Sequence, residues 1–206
     1  MDLLLVRHGQ TDWNPIGKVM GAHPIPLNAK GLEQAQNLNR WLQSIDITRI
    51  YTSPMLRAVQ TAETIAQGRN LPVEIEEGVA EIDYGDWVEK TFEEVRTQYP
   101  EQYNAYRFSP STMQIPGGEM VSNVQKRAVQ AIEKLRAKHQ GERVVVVSHA
   151  DVIKAILVHY LNFPLDLLQK VGCDNGSLSI YRFGTEWGDR LVALNYFADV
   201  KKILPW

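Results

Sequence analysis

The chain has 206 residues, of which 44% are hydrophobic, and it carries a formal net charge of −2. This hydrophobic content supports one good core, and no linker or low-complexity run divides the sequence, so we predict a single domain over residues 1–206. The near-neutral charge without a basic stripe argues against a nucleic-acid partner. Apolar runs too short for a bilayer argue against a membrane protein.

The N-terminus and the cysteine content both bear on location. The chain enters an apolar run almost at once and has neither a basic leader nor a signal-like helix. Cys173 is the only cysteine, which excludes an intramolecular disulfide. We therefore expect a cytoplasmic protein.

The first predicted strand covers Leu3–Val6 and leads into Arg7, His8 and Gly9. A short apolar run of this kind is typical of a buried parallel strand, and open α/β sheets hold ligands at the carboxyl ends of such strands. An imidazole placed there beside a guanidinium suits attack on a phosphoryl group. The alternative is a structural histidine, which is the commoner role of a lone His at a strand end.

A helix is predicted from Leu32 to Leu42, after Asn28, whose side chain suits the N-cap position. Its apolar face consists of residues at helical spacing, namely Leu32, Ala35, Leu38 and Leu42.

A second strand is predicted to end within Ile47–Tyr51, and a helix follows it. Ser53 suits the N-cap of that helix and Pro54 its first position. Arg57 then lies in the first turn and points back toward the edge where the first strand ends, where its fork suits phosphate oxygens. A solvated surface arginine is the alternative.

Glu81 has apolar neighbours on both sides, which would raise the pKa of its carboxyl group. Asp83 and Asp86 are expected to be turn or cap residues around Gly85.

The segment 91–118 is predicted to form a roof over the site, together with the loop from about residue 82. It carries a stripe at helical spacing, namely Phe92, Val95, Tyr99, Tyr103 and Tyr106. Pro100 interrupts the stripe and could begin a second helix. Such a stripe is usually core, and the alternative is a wall that faces the substrate.

A long helix is predicted over Asn123–His139, with His139 as a cation near the negative end of the helix dipole. Its buried face is formed by Val124, Ala128, Ala131, Ile132 and Leu135.

The run Val144–Val147 predicts another buried strand, followed by Ser148, His149 and a helix that includes residues 152–157. If this strand and the first are parallel neighbours, both histidines lie at one edge of the sheet. The alternative is a His149 without chemistry beside a helix capped by Ser148.

The last predicted strands, Ser177–Phe183 and Leu191–Phe197, form an edge hairpin around a turn at Gly184–Asp189. Strands that alternate with helices favour an α/β fold, and the hairpin makes the sheet mixed. The edge hairpin and the apolar tail at 201–206 could support a homodimer.

Together these segments resemble the histidine phosphatase superfamily, the phosphoglycerate mutase-like group that includes mutases and broad-specificity or α-ribazole-type phosphatases. The resemblance covers nearly the whole chain through segments in the family's order, namely 7–14, 26–35, 53–62, 116–119 and 147–149. It implies a three-layer αβα sandwich with a mostly parallel, mixed sheet.

The resemblance also implies roles for individual residues. His8 would attack phosphorus and become phosphohistidine, and Glu81 would act as the acid and the base. Three side chains would surround the transferred group, namely Arg7, Arg57 and a protonated His149. Contacts to phosphate or substrate are expected from Asn14, Gly21, His23 and the backbone N–H of Ala150.

The sequence departs from the family pattern on the substrate side. Met20 stands where relatives often have a small hydroxyl residue, and the loop after it lacks a common aspartate. Val88 and Glu89 replace the usual Glu-Gly pair. The identity of the substrate therefore stays open.

No His-x-x-x-His or paired-cysteine motif is present, and a phosphohistidine mechanism calls for neither a metal nor another cofactor. His159 is expected to be packed or solvated.

Three functions compete on these residues. The first is a metal-independent phosphatase that hydrolyses small-molecule phosphomonoesters. The second is a mutase, which returns the phosphoryl group to a different hydroxyl, and the third is a non-catalytic module that binds phosphate or phosphoproteins. The short roof, and a chain that stops soon after its last predicted strand, would admit water, so we predict hydrolysis.

Overall fold

The computed structural model describes residues 1–197, so the tail at 201–206 lies outside the described residues. The strands are β1 (Asp2–Arg7), β2 (Arg49–Thr52), β3 (Val73–Ile75), β4 (Arg143–Ser148), β5 (Leu178–Arg182) and β6 (Arg190–Tyr196). The α-helices are α1 (Ala29–Leu42), α2 (Leu56–Ala66), α3 (Phe92–Gln98), α4 (Pro100–Phe108), α5 (Val121–Lys138) and α6 (Ala150–Tyr160).

The strands form one mixed sheet in the order β3-β2-β4-β1-β5-β6. The first four are parallel, whereas β5 and β6 form an antiparallel hairpin. The condition for bringing both histidines together is met, because β1 and β4 are parallel neighbours with Arg7 opposite Ser148. Arg182, at the end of β5, pairs with Asp2 at the start of β1. The hairpin turn and His8 therefore lie at opposite ends of the strands.

Side chains of β1 alternate between two apolar layers, which explains why the strand reads as an unbroken apolar run. Leu4 and Val6 pack with α1 and α2, whereas Leu3 and Leu5 pack with α5 and α6. The result is the three-layer αβα sandwich that the sequence predicts.

The start of α2 differs from the prediction. The helix begins at Leu56 with Met55 as its N-cap, so Ser53 is not the cap residue and Pro54 precedes the helix. The hydroxyl of Ser53 lies 2.7 Å from Nε2 of His149. The same hydroxyl accepts from the backbone N–H of Met55 at 3.3 Å, so Ser53 lies in the turn before the helix.

One side chain also differs from its predicted environment. Leu32 is 42% exposed, since Gly31 takes its place on the buried face of α1. His139 lies at the end of α5, as predicted, and is buried there, with Nε2 3.0 Å from the hydroxyl of Tyr51 and Nδ1 3.2 Å from Oε2 of Glu142.

Two helices form in the segment 91–118, and the second begins at Pro100 as the sequence indicates. Thr91 and Glu94 form a capping box at the start of α3, and Pro100 occupies the first turn of α4. No helix within residues 1–197 is both long and apolar enough to cross a membrane.

Candidate active site

His8 immediately follows β1 and is 1% exposed. Its Nδ1 lies 2.7 Å from the carbonyl oxygen of Gly9. A carbonyl only accepts hydrogen bonds, so the proton is assigned to Nδ1 and Nε2 keeps its lone pair. Burial, followed by the charges of Arg57 and Arg7, holds the pKa of His8 well below its usual value. The imidazole is therefore neutral near pH 7, with an unprotonated Nε2.

His149 lies between β4 and α6, with its ring centroid 5.1 Å from that of His8. Nε2 contacts Ser53, and Arg57 Nη2 lies 3.3 Å from Nδ1. Burial, followed by the charge of Arg57, lowers the pKa of His149 well below its usual value. The expectation of a protonated His149 is therefore wrong for the ligand-free protein.

Backbone carbonyls fix the two arginines beside these histidines. Arg7 Nη1 donates to the carbonyl of Cys173 at 2.7 Å, and Arg57 Nη2 donates to the carbonyl of Gly21 at 3.1 Å. The Nε atoms of both arginines have no hydrogen-bond partner within residues 1–197. The guanidinium groups are thus held rigidly and retain positive charge for an anion.

Glu81 joins the same cluster from the loop after β3. Its Oε2 lies 3.3 Å from Nδ1 of His149 and 3.5 Å from Nη2 of Arg57. Burial raises the pKa of Glu81, although Arg57 opposes that effect. The sequence predicts a raised pKa for Glu81, and the structure agrees in direction. Residues distant in the chain, as well as the chain neighbours, bury the carboxyl group.

Arg127 of α5, which the sequence analysis missed, holds the Glu81 loop. It donates to the carbonyls of Gly78, Ala80 and Glu81 at 2.9, 2.8 and 3.1 Å. Its guanidinium also forms a two-pronged pair with Glu119 at 2.9 and 3.0 Å. This pair gives Glu119, the last residue of the segment 116–119, a structural role. It supports the Glu81 loop and does not line the cavity.

Asn14 is oriented by its neighbours. Its Oδ1 accepts from the backbone N–H of Thr11 at 2.8 Å and from the Thr11 hydroxyl at 3.1 Å. Asn175, which no sequence signal marked, also lies 3.3 Å from this oxygen. The amide nitrogen of Asn14 is therefore left as a donor, as the expected phosphate contact requires.

The remaining predicted site residues separate into two groups. Asn14 and Ala150 line the cavity, whereas Gly21 and His23 do not. Gly21 supports Arg57 through its carbonyl, and the ring of His23 lies 3.3 Å from Glu89 at the surface. His159 is exposed.

The aspartates near Glu81 have structural roles, as expected. Asp83 Oδ1 accepts from the N–H of Gly85 at 3.0 Å, and Asp86 lies in the short 3-10 turn that follows.

The cavity above His8 has a volume of about 390 Å³, within the usual range for small-molecule sites. Met20 lines one wall, and three members of the aromatic stripe line the roof, namely Phe92, Tyr103 and Tyr106. Val95 is fully buried in the core. The stripe thus serves both of the roles that the sequence left open.

The far wall contains polar residues that sequence reasoning did not single out, namely Tyr84, Asp151, Lys154 and Gln169. Asp151 follows His149 by two positions, which was the one available signal. The others come from three separate segments that converge only in the folded protein.

Comparisons with known proteins agree with this geometry. Residues 3–196 match the model of the histidine phosphatase superfamily (branch 1). The chain is 36% identical to phosphoserine phosphatase 1 of Hydrogenobacter thermophilus over 86% of this chain and 84% of that protein. It is 30% identical to the adenosylcobalamin/alpha-ribazole phosphatase of Escherichia coli over 87% and 88%.

Among solved structures, YhfR from Bacillus stearothermophilus superposes with a TM-score of 0.87 at 32% identity, covering 93% of this chain and 95% of that one.

Proposed function

The chain belongs to the histidine phosphatase superfamily, and from that membership and the site geometry we propose that it hydrolyses small-molecule phosphomonoesters through a phosphohistidine on His8. The relatives named above are phosphatases, which favours hydrolysis over the mutase reaction. The observation that carries the proposal is the neutral His8, with Nδ1 bound to a carbonyl and Nε2 left to attack.

In the first step Nε2 of His8 attacks phosphorus while the bond from phosphorus to the leaving oxygen breaks. Glu81 gives its proton to that oxygen, so the alcohol departs neutral. The raised pKa of Glu81 supports this role, because a carboxyl group must hold its proton near neutral pH to act as an acid.

In the second step the ionised Glu81 removes a proton from water, and the oxygen of that water attacks the phosphohistidine. The bond from phosphorus to Nε2 breaks, phosphate leaves, and His8 returns to its neutral form. Arg7 and Arg57 offset the charge that spreads over the phosphoryl oxygens in both steps, and Asn14 and the N–H of Ala150 add neutral donors.

The reaction needs no metal or other cofactor in this proposal, because two arginines supply the charge that a cation would otherwise provide. Residues 1–197 contain no group of three or more side chains suited to hold a metal ion. The proposed partner is a small phosphomonoester. The proposal also includes a cytoplasmic location and a homodimer that pairs through the edge hairpin.

The experiment uses a radiolabelled phosphomonoester and a quench in alkali, where phosphohistidine survives. We expect labelled wild-type protein, release of inorganic phosphate that a chelator does not slow, and a His8→Ala variant with no label. Loss of the nucleophile should lower kcat by on the order of 10³-fold or more.

The matched control is His159→Ala, which removes an exposed histidine outside the site and should label normally. Label that persists in His8→Ala would identify another nucleophile. Transfer to a second alcohol that outpaces phosphate release would favour the mutase.

A further inference from the structure

Asp151 is a buried carboxylate that the proposed reaction does not use. It lies in the first turn of α6, directly after Ala150, and is 4% exposed. Three segments that are distant in sequence meet at its side chain. Burying a carboxylate is costly unless it is paired and hydrogen-bonded, and Asp151 has several such partners.

Two tyrosine hydroxyls donate to Asp151. Oδ2 accepts from Tyr84 at 3.0 Å and also from Tyr106. Burial, followed by the charge of Asp151, raises the pKa of both phenols well above the usual value. Both tyrosines therefore remain protonated donors to the carboxylate of Asp151.

Lys154 completes the network on the other oxygen. Its Nζ lies 3.4 Å from Oδ1 of Asp151 and 3.2 Å from Oε1 of Gln169. The ammonium group is partly exposed to the cavity, with 14% of the side chain accessible. The carboxylate is thus tied to the roof, to its own helix and to the segment after α6.

The network reaches both sides of the acid/base group. Tyr84 lies three residues after Glu81 in the same loop, and Tyr106 belongs to the roof helix α4. Asp151 lies two residues after His149, whose ring contacts the Glu81 carboxyl. Asp151 therefore joins α6, which begins after His149, to the loop that carries Glu81.

Charged and titratable groups surround Glu81 from every neighbouring element. Positive charge comes from Arg57 of α2 and Arg7 of β1, and Arg127 of α5 binds the backbone carbonyl of Glu81. The two imidazole rings nearby, His8 and His149, are neutral. Asp151 opposes these cations and raises the pKa of Glu81. It is the acidic side chain on the far wall of the same cavity.

We propose that Asp151 is a positioning residue for the acid/base step, because it fixes the Glu81 loop through Tyr84 and the roof through Tyr106 and places a negative charge on the wall of the cavity that Glu81 also lines. This inference rests on the proposed function. Arg57 and Arg7, which attract phosphate, also favour the ionised form of Glu81, and the fixed negative charge of Asp151 opposes them.

The test is the pH profile of kcat/KM for an alkyl phosphate, whose alcohol needs a proton to leave. Asp151→Asn keeps an oxygen that accepts from the tyrosines and removes the charge. We expect the alkaline limb to move down by about 0.5–1 pH unit. With an activated aryl phosphate, which leaves without a proton, the rate should change much less.

Lys154→Gln provides a second variant with the opposite expected sign, because it removes the cation that offsets Asp151. Its alkaline limb should move to higher pH. Asp46→Asn is the matched control, since Asp46 is 87% exposed and lies outside the site, and its profile should equal that of the wild type.

Glu81→Gln identifies the limb, because it should remove the alkaline limb and slow alkyl phosphates by about 10²-fold or more. If that assignment holds and Asp151→Asn leaves the limb in place, Asp151 only packs the roof and the inference is overturned. An unmoved limb in Lys154→Gln also overturns it. Failure of the proposed function would differ, since the wild type would then form no phosphoenzyme.

Discussion

At the scale of single residues, the cradle keeps its imidazoles uncharged beside two arginines. His8 and His149 both have pKa values well below the usual one, mainly because they are buried. A bound dianion reverses part of that effect, since negative charge nearby favours protonated imidazole. The protonation state of the site therefore depends on whether an anion is bound.

We predict that binding of sulfate, which does not titrate near neutrality, is accompanied by proton uptake above the lowered pKa of His149. Calorimetric titrations in buffers of different ionisation enthalpy measure the uptake directly. His149→Asn should reduce it, whereas His159→Asn should not. Equal uptake in the wild type and in His149→Asn would assign the proton to another group.

Sequence reasoning located the residues with local signals and missed those defined by distant contacts. His8 and His149 follow apolar strands, and Arg57 follows a strand in a first helical turn, so the pattern itself placed them. Arg127 and Asn175 carry no local signal, and their partners are 46 and 161 residues away. Ser53 has a good N-cap sequence, but its hydroxyl contacts His149 and the N–H of Met55 before the helix begins.

At the scale of elements, the loop after β1 packs directly on the start of α1. A Cβ on Gly31 would lie 2.1 Å from the carbonyl oxygen of Gln10, and one on Gly9 would lie 2.5 Å from the carbonyl oxygen of Gly31. Gly9 and Gln10 directly follow His8, so a larger residue at Gly31 would displace the backbone next to that side chain.

We predict that Gly31→Ala destabilises the protein by about 1–3 kcal/mol, although alanine normally favours a helix over glycine. Chemical denaturation followed by circular dichroism provides the measurement. Lys30→Ala, one residue earlier and exposed, should change the free energy of unfolding by no more than about 0.5 kcal/mol. A stabilised Gly31→Ala protein would show that the loop yields easily.

Elements with strong periodicity were predictable, and short ones were not. The apolar face of α5 and the break at Pro100 are visible in the sequence and confirmed by the structure. The three-residue strand β3 was not predicted, because its partly exposed side chains form no apolar run. Its place at the edge of the sheet depends on pairing with β2, which is a tertiary contact.

At the scale of the whole molecule, the roof shares its core with the central sheet. Val95 and Tyr106 of the roof helices belong to the same cluster of buried side chains as Leu3, Leu5 and Val146. The single domain predicted from composition should therefore unfold as one unit. Roof and sheet would not melt separately, because neither buries its apolar face alone.

We predict coincident unfolding transitions in urea for tryptophan fluorescence, far-ultraviolet circular dichroism and sulfate binding. Trp87, one of five tryptophans, is fully buried near the roof, so its contribution to the emission reports on that region, and circular dichroism reports on all helices. An early fluorescence or binding transition at unchanged helicity would separate the roof as an independent unit.

The hairpin turn at Gly184–Asp189 and His8 lie at opposite ends of the strands, because the end of β5 pairs with the start of β1. Trp187 at this turn is 81% exposed. A chemical tether attached there can hold the protein on a solid support with the cavity directed away from the surface. Immobilised molecules would then share one orientation and stay open to dissolved phosphomonoesters.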